Sequence, residues 1–383
     1  MTRPTGPPPT SLRELALLFL RLGATAFGGP AVHVAMMQDE VVRRRRWMSD
    51  ERFVDLLGAT NLIPGPNSTE MAIHVGWARR RWAGLVVAGA CFILPAALVT
   101  AALGWAYVRF GTLPAAAGLL YGVKPVVLAV VLQALWRLAP AAARTRPLRA
   151  LGVAAAAAAA LGVDELAVLF GSGALLALAR AAGGGAGLLP AVALLPSAAG
   201  AGAPAPVGLA ALFGVFCKIG SVLFGSGYVL LAFLRAELVE RRAWMTEAQL
   251  IDAVAVGQVT PGPVFTTATF VGWVLAGPGG AAVATLGIFL PAFVFVAASG
   301  PLVPRLRASP AAAAFLDGVN VAALALMAVV TAQLGRAAVV DLPTAAFGLA
   351  AAGLLLATGL NATWLVLGGA LGGLAVRALG LAG

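Results

Sequence analysis

The chain has 383 residues, of which 61% are hydrophobic and only 11% are charged. Soluble domains carry about 25% charged residues, so this composition excludes a soluble enzyme. A helix needs about 20 apolar residues to cross the hydrocarbon core of a bilayer, and the chain holds enough for about ten such helices. The sequence therefore predicts an integral membrane protein whose first partner is the lipid bilayer.

The net charge is +11, with 26 basic against 15 acidic residues. Most of the bases are arginines in short runs between apolar segments, at 43–46, 79–81 and 137–149. This placement is typical of loop charges that set membrane topology, so a nucleic-acid partner is not expected. The two cysteines and the two histidines have no metal-ligand spacing, and we expect no cofactor.

The second half of the chain repeats the first. A shift of 197 positions aligns Phe27-Gly28 with Phe224-Gly225, and 14 of the 40 residues from 27 to 66 are then identical. After one deletion, a shift of 196 continues the alignment as far as Pro147 and Pro343. Duplicated halves are common in transporters. The predicted organisation is a disordered tail at 1–10, repeats at 11–182 and 208–380, and a Gly/Pro/Ala-rich linker at 183–207.

The apolar runs of the first half define its predicted elements. They cover residues 12–37, 53–63, 67–78, 83–108, 115–138, 148–162 and 166–180. The second and third runs are too short to cross a bilayer, and Pro64-Gly65-Pro66 separates them because proline cannot continue a helix. They predict a re-entrant helical hairpin, which recurs in the second half at Pro261, Gly262 and Pro263.

Five crossings and one hairpin in each half predict an all-α polytopic membrane protein with about ten transmembrane helices. Because five is odd, the two halves are expected to have opposite orientations in the membrane, as in transporters with inverted repeats. Irregular backbone at membrane depth is tolerated only where it is buried or lines a cavity. The two hairpins and the broken first helices are therefore expected to form a central site.

Three motifs of the first half recur in the second half. They are Phe27-Gly28-Gly29-Pro30, Glu40-Val41-Val42 followed by Arg43-Arg44-Arg45-Arg46-Trp47, and Leu62-Ile63-Pro64-Gly65-Pro66-Asn67, with echoes at Phe224, Trp244 and Gln258 to Pro263. In this order they resemble the chromate ion transporter (CHR) family in its long two-domain form. The family commonly has a glutamine three residues before the first Pro-Gly-Pro. This chain has Asn61 at that position, whereas Gln258 keeps the glutamine in the second half.

The resemblance implies a bacterial inner-membrane protein that exports chromate by secondary, gradient-driven transport. The residues themselves indicate only a small or inorganic anion, and sulfate has the same charge and shape as chromate. A sulfate or other small-anion carrier and an anion channel stay open as alternatives, as does an intramembrane enzyme that uses Glu70 and His74. A homodimer is also left open.

Basic residues inside apolar runs are the first candidates for substrate binding, because intramembrane charges are costly and usually functional. The only lysines are Lys124 and Lys218, and Lys218 aligns with Arg21. Arg21 and Lys218 form a symmetric pair of cations suited to a divalent oxyanion. In the alternative interpretation Arg21 snorkels or pairs with an intramembrane acid such as Glu70. Lys124 aligns with Asn320.

The Pro-Gly-Pro turns supply neutral anion-binding groups. A half-helix that begins at Asn67 or Val264 directs its N-terminal amides, with roughly half a positive charge, towards the membrane interior. Further candidate donors to substrate oxygens are Asn67, Ser68, Thr69 and Thr266, together with Asn61 and Gln258 before the turns. The alternative for Asn67 and Glu70 is a helix-capping pair.

Glycines and titratable residues complete the candidate set. Gly28 and Gly29, echoed by Gly225 and Ser226, are predicted to unwind the first helix of each half. The residues predicted to serve gating or proton coupling are Glu70, His74 and His33, with packing as the alternative. The aligned Asp55 and Asp252 are predicted to form salt bridges with loop arginines.

Overall fold

The computed structural model describes residues 10–27, 29–111, 113–182, 207–224, 227–307, 309–358 and 360–380. Within these ranges the secondary structure is helical and there is no strand, which confirms the predicted all-α class. The predicted linker lies outside the described residues except for residue 207, and the predicted tail except for Thr10. Thr10 is buried, and its hydroxyl accepts hydrogen bonds from Arg79.

Seven helices belong to each half of the described chain. Those of the first half are α1 (Leu12–Thr25), α2 (Pro30–Gln38), α3 (Asp50–Thr60), α4 (Asn67–Phe110), α5 (Pro114–Ala142), α6 (Arg146–Ala160) and α7 (Glu165–Ala181). Those of the second half are α8 (Leu209–Val222), α9 (Leu230–Leu234), α10 (Glu247–Val259), α11 (Thr267–Arg307), α12 (Pro310–Ala338), α13 (Leu342–Ala357) and α14 (Ala362–Ala378).

Four helical stretches are long and apolar enough to cross a bilayer. They are Asn67–Phe110, Ala115–Ala142, Val264–Ser299 and Pro310–Ala338. Large apolar side chains such as Trp82, Trp136 and Trp364 are 64–73% exposed, as expected of a surface that faces lipid. The protein is therefore a multi-pass membrane protein, while the count of ten crossings and the inverted orientation stay predictions.

The sequence repeat recurs in the backbone. A short π-helical segment follows α2 at Asp39–Arg44, and an equivalent one follows α9 at Arg235–Arg241. Arg46 and Ala243, which align at a shift of 197, have φ of 50° and 49°. Residues with side chains rarely adopt a positive φ, so its occurrence at two aligned positions shows that the halves share one fold.

The Pro-Gly-Pro segment lies in a turn between α3 and α4. After the turn, α4 runs for 13 residues, about 20 Å, and then reverses direction at Arg80 and Arg81, whose backbone angles are not helical. Its two parts pack so closely that a Cβ atom on Gly76 would lie 2.2 Å from the carbonyl oxygen of Gly84. The second half repeats this reversal at Ala276 and Gly277.

Helices of each half pack against helices of the other half. Within each half the first helix packs against the long one, α1 against α4 and α8 against α11. Across the halves, α5 packs against α13 and α14, and α12 packs against α6 and α7. The long helices α4 and α11 also pack against each other. The predicted repeats at 11–182 and 208–380 are thus interlocked, and the largest buried apolar cluster contains residues of both.

Reciprocal backbone hydrogen bonds join the breaks in the two halves. The amide of Gly65 donates to the carbonyl of Leu223 at 2.8 Å, and the amide of Gly262 donates to the carbonyl of Ala26 at 2.9 Å. Both acceptors lie where the first helix of a half ends. Each Pro-Gly-Pro turn is therefore held by the broken first helix of the opposite half.

We predict that Gly76→Ala destabilises the fold by about 2 kcal/mol, because the added methyl group overpacks the contact with Gly84. The measurement is thermal unfolding of the purified protein in detergent. Gly171→Ala is the matched control, since a Cβ atom at this α7 position meets nothing within 4 Å. Equal melting temperatures for the two variants would contradict the close packing.

Candidate functional site

The break between α1 and α2 contacts the beginning of α4 through one buried histidine. His33 is 1% exposed, with Nε2 3.0 Å from the carbonyl oxygen of Ala26 and Nδ1 3.3 Å from the Ser68 hydroxyl. Because a carbonyl only accepts, Nε2 carries the proton, and the Ser68 hydroxyl then donates to Nδ1 in the neutral ring. Gly29, at a φ of 84°, provides the turn into α2.

The first turn of α4 is not capped by Asn67 and Glu70, so the capping interpretation is wrong. Pro66 occupies the N-cap position, and no side chain caps the helix. The Asn67 side chain instead donates from Nδ2 to Oδ1 of Asn61 at 2.8 Å. Both candidate amides of the first half therefore meet across the turn.

Glu70 is fully buried, and within the described chain neither carboxylate oxygen has a hydrogen-bond partner. It lies against the turn, because a Cβ atom on Gly65 would be 2.4 Å from Oε1. Thr69 Oγ1 and His74 Nε2 are also buried, again with no partner among the described residues. Ionisable groups in such positions of a membrane protein are costly and mark substrate paths or proton relays.

A cavity of about 580 Å³ opens between the two halves beside these amides. Its walls come from the α1–α2 break, the turn before α4, one face of α5 and one face of α12. Its polar lining residues are Asn61, Asn67, Gln133, Arg137, Arg144, Asp317 and Asn320. The cavity is therefore lined by side-chain amides and charged groups from both repeats, as expected of a site at a repeat interface.

The charged residues that line this cavity differ in whether they have an ion-pair partner. Arg144 forms an ion pair with Asp317, and both line the cavity. Arg137 lies on α5, is exposed, and has no ion pair or hydrogen bond within the described chain. Gln133 is fixed by a 2.7 Å hydrogen bond from Nε2 to the carbonyl of Leu355. The cavity thus has one uncompensated positive charge.

The equivalent cavity in the repeat is closed. It is about 10 Å³ in volume and is lined by Gly227, Gln258, Val264 and Val131, which align with Pro30, Asn61, Asn67 and Met327 of the open cavity. About one water molecule fits in such a space. The two halves therefore have equivalent cavities, of which one is open and the other is closed.

A buried polar cluster joins α4 to α5 and α10, two helices that also line the second cavity. Asp252 is 3% exposed, accepts a 2.9 Å hydrogen bond from the Tyr107 hydroxyl and lies 3.4 Å from Nζ of Lys124. The prediction of a loop salt bridge is wrong for Asp252, because its helix α10 packs against α5 and turns the carboxylate inwards. Its equivalent Asp55 is exposed. The cluster joins residues from both halves.

The symmetric cations Arg21 and Lys218 lie outside the open cavity and have acidic partners. Arg21 contacts Glu40 at 2.5 Å, and Lys218 contacts the aligned Glu237 at 2.5 Å. The alternative interpretation for Arg21 named Glu70 as an example of its acidic partner, but the partner is Glu40, in the π-helical segment that continues α2. Arg44 and Arg241 also bind these glutamates, at 3.1 and 2.7 Å. Both cations are thus neutralised within their own half.

The remaining candidates are not gathered into the open cavity. Gly28, Gly225 and Ser226 lie outside the described residues. Thr266 is buried, and its hydroxyl donates to the carbonyl of Pro263 at 2.8 Å. Sequence analysis missed Arg137, which it assigned to a topology-setting run. The available signal was its spacing of four residues from Gln133 on the face of a long apolar helix.

Comparison with known proteins gives consistent matches over most of the chain. A sequence model of the family described as Chromate transporter matches residues 13–185 and 210–374. The chain is 35% identical to the chromate transport protein of Cupriavidus metallidurans over 91% of this chain and 89% of that protein. It is 34% identical to the chromate transport protein of Pseudomonas aeruginosa over 91% and 87% of the two chains.

A third relative is the probable chromate transport protein of Synechococcus elongatus, with 32% identity over 90% of each chain. No solved structure matches the chain. The family match falls in two segments that coincide with the two repeats.

We predict that Glu237→Gln lowers the free energy of unfolding by about 2 kcal/mol, because the buried carboxylate binds Lys218, Arg241 and Arg242 together. Thermal unfolding in detergent measures this effect. Glu240→Gln is the control, because Glu240 is 51% exposed and pairs only with Arg235. A Glu237→Gln variant as stable as the control would show that the cluster does not hold the fold.

Proposed function

The chain belongs to the chromate transporter family, and from that premise we propose that it exports chromate across the bacterial inner membrane as a secondary active transporter. Three relatives of this length carry chromate transport in their names, two of them without qualification. Their alignment covers both repeats, so the proposal concerns the whole two-half chain. Sulfate shares the charge and shape of chromate and is the alternative substrate.

The pair of unequal cavities is the observation that carries the proposal. A carrier exposes its site to one side of the membrane at a time, and inverted repeats achieve this when the two halves exchange conformations. Such a protein has two equivalent access paths, one open and one closed. The volumes of about 580 and 10 Å³ fit this description. A channel requires both paths open together, and the closed cavity has no room for a tetrahedral oxyanion.

The membrane potential is sufficient as a driving force. An inside-negative potential favours export of a dianion by about 2.3 kcal/mol per charge for each 100 mV. The sequence contains no phosphate-binding Gly-x-x-x-x-Gly-Lys-Ser/Thr motif, since Lys124 precedes proline and Lys218 precedes isoleucine. Glu70 is the group best placed for coupling to a proton gradient, because it is buried without a partner beside the turn.

The Lys124–Asp252–Tyr107 cluster acts as the gate of the closed path. It ties α10 to α4 and α5. In the other half the position of Lys124 is taken by Asn320, which lines the open cavity and carries no charge. Opening the second path separates Asp252 from Lys124. An interaction made in one conformation and absent in the other shifts the equilibrium by its own free energy.

We predict potential-driven uptake of radiolabelled chromate into proteoliposomes that contain the purified protein. The flux is expected to reverse direction with the sign of the imposed potential and to fall when sulfate is added in excess. Empty liposomes are the control. Flux that does not respond to the potential would contradict secondary transport of a charged oxyanion, and unitary currents in a planar bilayer would favour the channel.

We predict that Asp252→Asn opens the second path more often, because the variant removes the charge that holds Lys124. The measurement is labelling of Gln258→Cys by a membrane-impermeant maleimide, in a chain whose Cys91 and Cys217 are replaced. The labelling rate is expected to rise several-fold.

Asp55→Asn is the matched control for this gate, since Asp55 is exposed and occupies the position of the first half that aligns with Asp252. We expect it to leave the labelling of Gln258→Cys at its original rate. Equal rates in both variants would show that the buried cluster does not gate the path.

A further inference from the structure

The charges that line the open cavity single out one residue. Arg144 and Asp317 both line the cavity and form an ion pair, so together they contribute no net charge. Arg137 has no partner within the described chain. In a site walled by low-dielectric protein, an uncompensated guanidinium attracts anions more strongly than it does in water.

Arg137 and Gln133 lie one helical turn apart on α5, and both line the cavity. Arg137 is exposed, whereas Gln133 is half-buried and its amide donates to the carbonyl of Leu355. The guanidinium is therefore accessible to a solute that enters the cavity.

Neutral donors line the same cavity. The Nδ2 group of Asn61 has no hydrogen-bond partner among the described residues, because Asn67 binds only its oxygen. The Asn320 side chain is exposed to the cavity from α12 and is also without a partner in the described chain. The N-terminus of α4 borders the cavity at Asn67 and adds its partial positive charge.

We propose that Arg137 is the residue that binds the charge of a tetrahedral oxyanion in this cavity, assisted by the amides of Asn61 and Asn320. A guanidinium presents a planar fork that matches two oxygens of such an anion, and its hydrogen bonds to a charged acceptor are about twice as strong as neutral ones. The inference rests on the proposed transport function and names the binding site for it.

The proposal replaces the symmetric pair Arg21 and Lys218 as the centre of binding. Both of those cations contact buried glutamates, whereas Arg137 has no counter-ion. Arg137 aligns with Gln333, so the binding charge comes from one half only. The oxyanion site is therefore asymmetric within a symmetric scaffold.

The negative charge of Asp317 lowers the positive electrostatic potential of the cavity. Removing that charge is therefore expected to increase the affinity for an oxyanion, which tests the proposal. Asp317→Asn removes the only carboxylate among the described residues that line the cavity and releases Arg144. Oxyanion affinity is expected to rise several-fold. An increase in affinity does not arise from misfolding, so this variant remains informative if a change at Arg137 disturbs the structure.

The experiment is isothermal titration of the full-length protein in lipid nanodiscs with sodium chromate and, separately, sodium sulfate. Arg137→Gln is expected to weaken binding at least tenfold, and Arg137→Lys less, because lysine keeps the charge but loses the fork. Arg149→Gln is the control with the same change of net charge. Arg149 belongs to the same basic run, does not line the cavity and donates to the Ala143 carbonyl at 3.0 Å.

The outcomes separate this proposal from the transport function. Weaker binding by Arg137→Gln with unchanged binding by Arg149→Gln supports the site, as does tighter binding by Asp317→Asn. Native affinity in both Arg137→Gln and Asp317→Asn overturns the site while leaving the transporter intact. If the native protein binds neither chromate nor sulfate, the site and the proposed function fail together.

Discussion

A bilayer offers no water to an unpaired backbone group, and this constraint determines how the two halves fit together. The first helix of each half is interrupted and the chain later turns through Pro-Gly-Pro, so each half has a carbonyl and an amide that lie outside its regular helices. The bonds from Gly65 to Leu223 and from Gly262 to Ala26 satisfy all four groups. Neither half can make these bonds alone, because each amide finds its acceptor in the other repeat. The exchange of α5 and α12 between the halves extends this dependence to the rest of the fold.

The function proposed for the protein depends on departures from its internal symmetry. The backbone repeats closely, as the paired reversals at Arg81 and Gly277 show. The side chains at aligned positions differ, with Asn320 lining the open cavity where the other half has Lys124, which pairs with Asp252. Because the two halves have similar backbones, a conformation with the first cavity open and one with the second cavity open have similar free energies. A few polar contacts then determine which of the two conformations is populated. A single buried ion pair has about the right strength for this purpose.

Sequence patterns predicted the features that depend on local chemistry. Proline and glycine marked the helix breaks, apolar length marked the long helices, and the repeat itself was visible as aligned rare residues. Contacts between distant segments were not predictable in the same way. Arg21 contacts Glu40 only because the break between α1 and α2 lets the π-helical segment that follows α2 lie beside α1, and Asp252 turns inwards only because α10 packs against α5. Arg137 looked like a loop charge because the cavity that reaches it is made by two helices from different halves.

The central claim is that the two equivalent cavities open in alternation. Pairs of spin labels test it directly, one pair spanning α3 and α12 across the open cavity and the other spanning α10 and α5 across the closed one. We predict that adding chromate under turnover conditions produces a second distance in each pair, shorter in the first and longer in the second, in matching proportions. Distances that stay single in both pairs, or that lengthen together, would contradict alternating access.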